Sequence, residues 1–505
     1  MMMSIRLLIS IALSFSLANC GGSSGGDRSI FDNDDQDTTD KWQEGVFKPS
    51  SGYWDKCGTV LDQNNWLRSI TNEIYFWYDE VIDQDPANFS DPLDYFAELK
   101  TFELTSTGQP KDRFHYSVPT DVWLQLTREG IELGYGFAFD ILSSVPPREI
   151  VVTQVEAGSQ ADLQGLKRGD RIIEADGVSV ANSNDVDTLN NAFFPSVEGE
   201  QHSFVVEPLV GDSLAVTLTA QEQIIDPVPK AEIVATDSGN IGYLLFNAHN
   251  APSEQKLISA IEDFQNAGID DLVLDLRYNG GGYLFIANQL AYMIAGSKSV
   301  GNVFSRTVFS DKHPLFDPVS GEVLQPEFFL TLSSNQQTLP TLNLDRVYIL
   351  TGSNTCSASE AIINGLRGIG VEVVQIGEAT CGKPYGFYGL PNCGNTFLTV
   401  QFQVENASRF GDYGDGFTPQ NSPVPTSATI PGCYVADDFS RELGNPVEAR
   451  LKAALDYRSN GTCPAVVSSK PSSANDSMKA SLDSGVMLRD TNAWRKSMLI
   501  LQQGN

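Results

Sequence analysis

The chain has 505 residues, is 41% hydrophobic and carries a formal net charge of −31 at pH 7. That length exceeds what a single hydrophobic core holds, so several domains are expected. The negative charge repels phosphate backbones, which argues against nucleic acid as a partner and leaves the substrate open.

In chain order, a single Arg6 precedes an apolar run over residues 7–18 that only serines interrupt. The run is too short to span a bilayer and polar sequence follows at once, as in a signal peptide. It ends Leu17-Ala18-Asn19-Cys20-Gly21, which resembles a bacterial lipobox, with Asn19 departing from the usual small residue before the cysteine. The resemblance implies removal of residues 1–19, lipidation of Cys20 and anchoring in the cell envelope. Gly21, where an aspartate would retain a lipoprotein at the inner membrane, favours the outer membrane. Residues 20–53 are expected to be a tether, because 21–40 are rich in Gly, Ser and Asp and cannot bury enough apolar surface to fold.

Beyond Cys20 stand six cysteines, Cys57, Cys356, Cys381, Cys393, Cys433 and Cys463. An even number after an export signal points to disulfides, although six cysteines allow about 15 pairings. The pairing expected here is Cys356–Cys381, Cys393–Cys433 and Cys57–Cys463. No two cysteines have metal-ligand spacing, and His115, His202, His249 and His313 are scattered, so neither a metal nor another cofactor is expected.

Residues 54–130 read as a small helical bundle. Trp66, Ile70, Ile74 and Trp77 recur at helical spacing, which is the pattern of core packing, and a second helix is expected over 92–100. Residues 131–224 show short strands and turns. Gly134-Tyr135-Gly136-Phe137 precedes a strand at 150–152, and "GLKRGDRIIEADG" follows over 165–177. This order resembles a PDZ domain. The resemblance implies that Gly134, Tyr135, Gly136 and Phe137 present backbone N–H groups to a peptide carboxylate, and that the peptide adds as a strand.

Residues 225–463 alternate strands and helices. Residues 272–276 form a continuous apolar strand of the kind buried in a sheet covered on both faces. Further strands are expected at 241–246, 347–350 and 371–376, with helices over 253–267, 283–295 and 358–367. Residues 464–505 form a tail, Ser-rich at first, in which 486–501 are expected to dock a short element back onto the body.

Three stretches of this α/β region carry chemistry. In Thr355-Cys356-Ser357-Ala358-Ser359-Glu360, a helix starts at Ser357, directly after a buried strand. Unpaired N–H groups and the helix dipole surround such a hydroxyl, which suits a nucleophile but equally a plain helix cap. Gly377-Glu378-Ala379-Thr380-Cys381-Gly382-Lys383 follows the next strand. A serine needs a base, and a lysine serves when burial lowers its pKa; a solvated surface lysine is the alternative. Asp275-Leu276-Arg277-Tyr278-Asn279-Gly280-Gly281-Gly282 ends a strand in three glycines, letting backbone approach a ligand, a phosphate as readily as an oxyanion.

Together, behind a PDZ-like module, these stretches resemble the carboxyl-terminal processing (tail-specific) serine peptidases, relatives of the tricorn core, over about residues 55–460. The resemblance implies a multidomain α/β protein with a core of the crotonase and ClpP type, cleaving polypeptides with Ser357 as nucleophile and Lys383 as base. Gly280 or Gly281, with Ala358, would supply the oxyanion hole. Phe387 departs from the pattern, since many members carry there a glutamine that orients the lysine. His115 stands near the place where some relatives have a catalytic histidine, and Ser359 is a second candidate nucleophile. Cys356 and Cys381 flank the two catalytic candidates, as a staple or as a redox-sensitive pair. A catalytically inactive, peptide-binding scaffold on the same fold is the competing reading, and a small-ligand carrier a third.

Overall fold

The computed structural model describes residues 41–466 and the strand Met498–Leu499. The signal peptide, Cys20, most of the tether and most of the tail lie outside the described residues. The chain divides into residues 1–43 and a body from Glu44 onward, and all that follows concerns the body. No helix of the described residues is long and apolar enough to cross a membrane.

The body's first helix, Val60–Ile74, is capped by Thr59, whose hydroxyl accepts from the Asp62 N–H. A second, Pro92–Glu98, starts with Pro92 behind the cap Asp91. These two helices pack on each other and also on a small sheet. Tyr116–Pro119 pairs antiparallel with Asn395–Leu398, which pairs in turn with Leu390–Asn392. Trp66, Leu67, Tyr95 and Phe96 bury themselves against Leu390 and Phe397 of that sheet. Two short helices cannot bury enough surface alone, so strands from far along the chain complete their core.

The disulfides follow the same logic. Cys57–Cys393 ties the N-terminal helices to this sheet, with Cα atoms 5.4 Å apart. Cys433, in the last strand of the central sheet, pairs with Cys463, just past the final helix, at 5.3 Å. The expected pairings Cys393–Cys433 and Cys57–Cys463 are therefore wrong, whereas Cys356–Cys381 forms as expected.

Next along the chain is a β module. Its strands run in the order Phe137–Ser143, Glu149–Val155, Arg171–Ala175, Gln201–Glu207, Leu214–Thr219. The helix Val186–Phe193, capped by Asp185, packs Leu189 and Phe193 onto this sheet's core. Ile131–Gly134 pairs with Gln221–Ile224, bringing the module's two ends together.

The rest is an α/β core around a six-stranded sheet. Its order is Lys230–Thr236, Gly239–Leu245, Asp271–Asp275, Arg346–Thr351, Glu372–Gly377, Gly432–Tyr434, parallel except for the first pair. Helices Ser253–Ala267, Leu284–Ala295 and Ala358–Gly368 cover one face, and Ala449–Asn460 the other. Burial on both faces accounts for the unbroken apolar runs of its central strands. The turns after Asp275, Thr351 and Gly377 leave the carboxyl ends of three adjacent strands, where open α/β sheets place their ligands.

Candidate functional site

Hydrogen bonds through Thr355 hold the turn after Arg346–Thr351. The Gly352 N–H donates to Thr355 Oγ1 (3.0 Å), and that hydroxyl donates to the Leu276 carbonyl (2.8 Å). The chain then enters the helix Ala358–Gly368 through Ser357, at φ +60° and ψ −111°, a conformation L-residues rarely adopt. Ser357 is fully buried. Its Oγ approaches the Glu360 N–H as in a capping box, but falls short of a hydrogen bond and has no partner. A serine kept only as a helix cap would make that bond.

Glu360, three residues on, was given no role in the sequence, although Ser-x-x-Glu is capping-box spacing. Its buried carboxylate joins the two catalytic candidates. Oε2 accepts from the N–H of Ser357 (2.9 Å) and of Lys383 (2.8 Å). Oε1 accepts from the Gly382 N–H (2.9 Å) and from Thr380 Oγ1 (2.5 Å). Burial raises the pKa of Glu360, and these donors oppose the rise. The Cys356–Cys381 bridge, with Cα atoms 5.1 Å apart, makes a second link between the same two turns. Arg113 braces the second turn by donating to the carbonyls of Cys381 (2.7 Å) and Gly414 (3.1 Å).

Lys383 is fully buried as well. Its Nζ lies 4.3 Å from the ring centroid of Phe387 and 4.8 Å from that of Phe114. The residue that breaks the family pattern is thus one of two aromatic rings around the lysine head, a geometry that orients a cation through the ring faces.

The glycine turn is organised by Asn279. Its Nδ2 donates to the Phe246 carbonyl (2.9 Å), which leaves Oδ1 to accept from the Gly281 N–H (2.9 Å) and from His249 Nδ1 (3.0 Å). Of the two glycine amides expected at an oxyanion hole, that of Gly281 is therefore already engaged, which leaves Gly280. The Asn279 carbonyl accepts from the Cys356 N–H (3.1 Å) and from Ser359 Oγ (2.9 Å), seating the glycine turn against the Ser357 turn. Ser359 is thus tied to backbone. His115 is likewise occupied elsewhere, with Nε2 2.8 Å from the Phe96 carbonyl and Nδ1 3.1 Å from Thr399 Oγ1. Cys356, Glu360 and Cys381 converge with ligand atoms within 4.8 Å, but the two sulfurs bond each other, leaving no thiolate for a metal.

The β module meets this site at two places. Gly134, Tyr135, Gly136 and Phe137 line a cavity together with His249, Gly281 and Gly282. At Gly136 (φ +80°) a Cβ would stand 2.1 Å from that of Ser159, so only glycine fits. Arg168, from the "KRGD" turn, donates to Tyr278 Oη (2.7 Å) and to Asp437 Oδ1 (2.8 Å). Asp437 also accepts from Tyr278 Oη and from Arg277 (2.8 Å). Burial alone would raise the pKa of Asp437, but Arg450, Arg277 and Arg168 hold it far below the carboxylate range.

Residues 240–399, which contain Ser357, Lys383 and the glycine turn, match the family model for peptidase family S41. Residues 62–118 match the peptidase S41 N-terminal domain, and residues 124–190 the PDZ domain. The chain is 22% identical over 281 residues to a carboxyl-terminal-processing protease of Picosynechococcus sp., covering 55% of this chain and 61% of that protein. A protease of the same description from Synechocystis sp. is 24% identical over 356 residues, 68% of this chain and 73% of its own. Among solved structures, a putative S41 protease from Bacteroides fragilis superposes with a TM-score of 0.59 at 24% identity, covering 79% of this chain and 97% of that one, a likeness of fold.

Proposed function

We propose that this chain, which carries a peptidase S41 domain, its N-terminal companion and a PDZ domain, is a serine endopeptidase acting through Ser357 and Lys383 on unfolded or tail-exposed polypeptides. The observation that carries the reading is the geometry of Ser357: a strained, buried serine with an unpartnered hydroxyl, tied through Glu360 and a disulfide to the turn of a buried lysine. Strain of this kind persists where the surrounding structure enforces it.

In this mechanism unprotonated Lys383 takes the Ser357 hydroxyl proton as Oγ bonds to a peptide carbonyl carbon. The N–H groups of Gly280 and Ala358 receive the oxyanion. The C–N bond then breaks, Lys383 returns the proton to the departing amine, and the acyl group stays on Ser357 as an ester. Water, giving its proton to Lys383, hydrolyses that ester and regenerates the serine. The Gly134–Phe137 loop receives the substrate's tail beside this cleft. Through lipidated Cys20 the enzyme is held in the bacterial envelope, at the outer membrane.

Replacing Ser357 with Ala, and separately Lys383 with Ala, tests the mechanism on reduced β-casein. Each substitution is expected to lower kcat by about a thousandfold or more. Cleavage by Ser357→Ala equal to that of the active wild type overturns the reading.

A further inference from the structure

The strand Gly282–Tyr283 begins two residues after Gly280. Along one side it is bridged to His249: the His249 N–H donates to the Gly281 carbonyl (3.0 Å) and the Tyr283 N–H to the His249 carbonyl (2.8 Å). Along the other side it pairs in parallel with Met498–Leu499, Gly282 opposite Met498 and Tyr283 opposite Leu499. Met498–Leu499 also comes within 8 Å, Cα to Cα, of Tyr385–Gly386, the strand that begins two residues after Lys383. The C-terminal strand therefore lies between the two turns that hold the proposed oxyanion donor and base. Independently, the Ser357 hydroxyl has no surface open to solvent, and Lys383 is fully buried. Both catalytic candidates are therefore covered in this state.

We infer that the strand Met498–Leu499 occupies, within its own chain, the strand position a substrate polypeptide takes, and keeps the site closed until it leaves. An unpaired sheet edge recruits an extended chain through main-chain hydrogen bonds, with few demands on side chains. A segment of the same chain competes for that edge at an effective concentration around millimolar, well above most free substrates. Release of the strand frees the Gly282–Tyr283 edge beside Gly280, and the incoming polypeptide inherits its pairing. The inference rests on the peptidase reading for its consequence, but the docking itself can be measured without activity.

Two experiments decide it. Deleting residues 491–505 should raise β-casein cleavage by about tenfold or more, and a synthetic peptide of residues 491–505 should inhibit the shortened enzyme competitively. Equal rates for the two chains, or no inhibition by the peptide, overturn the inference. In the full chain, Tyr283→Cys with Leu499→Cys should form a disulfide within one molecule, since paired strands lie about 4.8 Å apart. Tyr283→Cys alone is the control and should not. Absence of the first cross-link, or a link only between two molecules, overturns docking within the chain. Should the cross-link form while full and shortened chains both leave casein intact, the peptidase reading fails, and with it the inhibitory role.

Discussion

The segment Asp275–Gly282 changes character at its middle. In its first half, Arg277 is buried among Asp275, Glu448 and Asp437, and Tyr278 completes the cluster by bonding Asp437. In its second half there is no ion pair among the described residues; Asn279, His249 and backbone amides hold the turn with neutral hydrogen bonds. The two halves suit different tasks. Paired buried charges fix the position of the strand end and of the PDZ domain's Arg168, provided that every charge is matched. Neutral donors leave the turn without a resident charge, so that in the proposed mechanism the negative charge of the oxyanion meets preorganised dipoles.

Breaking the ionic half should have the largest effect. Arg277→Met leaves three carboxylates in a buried cluster short of a cation, and is expected to cost about 3–5 kcal/mol in denaturant unfolding. A loss near zero would mean that the cluster is not what holds the strand end.

Acid tests the neutral half. Burial lowers the pKa of His249 to about 3. The folded-state value is below that of the unfolded chain, about 6.5, so the neutral ring's contribution is complete above pH 6.5 and is lost as pH falls towards 3. Unfolding measurements at pH 7 and pH 4 should differ by about 3 kcal/mol from this group, and His249→Asn should flatten the slope between them. An unchanged slope would show that the ring is not held neutral.

Asn279→Ala comes next: freeing the Gly281 amide and His249 Nδ1 should lower kcat on β-casein about a hundredfold with little change in KM. A change in KM alone would place Asn279 in substrate binding and not in positioning the turn. The smallest expected effect is at the proposed base. Phe387→Leu removes one of the two rings over Lys383 and should cost about tenfold in kcat/KM, while Ser357-dependent cleavage remains. A loss as complete as that of Lys383→Ala would make Phe387 more than one wall of a cradle.

Much of this was legible in the sequence because it is local. Apolar runs at 272–276 and 347–350 show strands buried on both faces, and the Gly134–Phe137 loop with "GLKRGDRIIEADG" marks the PDZ domain. Cys356–Cys381 could be expected from the motifs alone, because the same reasoning that brings Ser357 near Lys383 brings these cysteines together. Glu360 was visible as the fourth residue of "SASE", but its spacing signals only a cap. That its carboxylate also reaches the backbone of Lys383 depends on the next turn folding back over the helix start.

By itself, then, the sequence determined the periods, the turn glycines and the three motifs, because each depends on neighbours a few residues away. Tertiary structure decided the partners. It sent Cys57 to Cys393, set the N-terminal helices on strands near 390–398, engaged the Gly281 amide and put Phe387 over Lys383. It also laid Met498–Leu499 along Gly282–Tyr283. Pairings across so many residues are settled by which surfaces fit once the sheet has formed, and spacing along the chain carries no record of that fit.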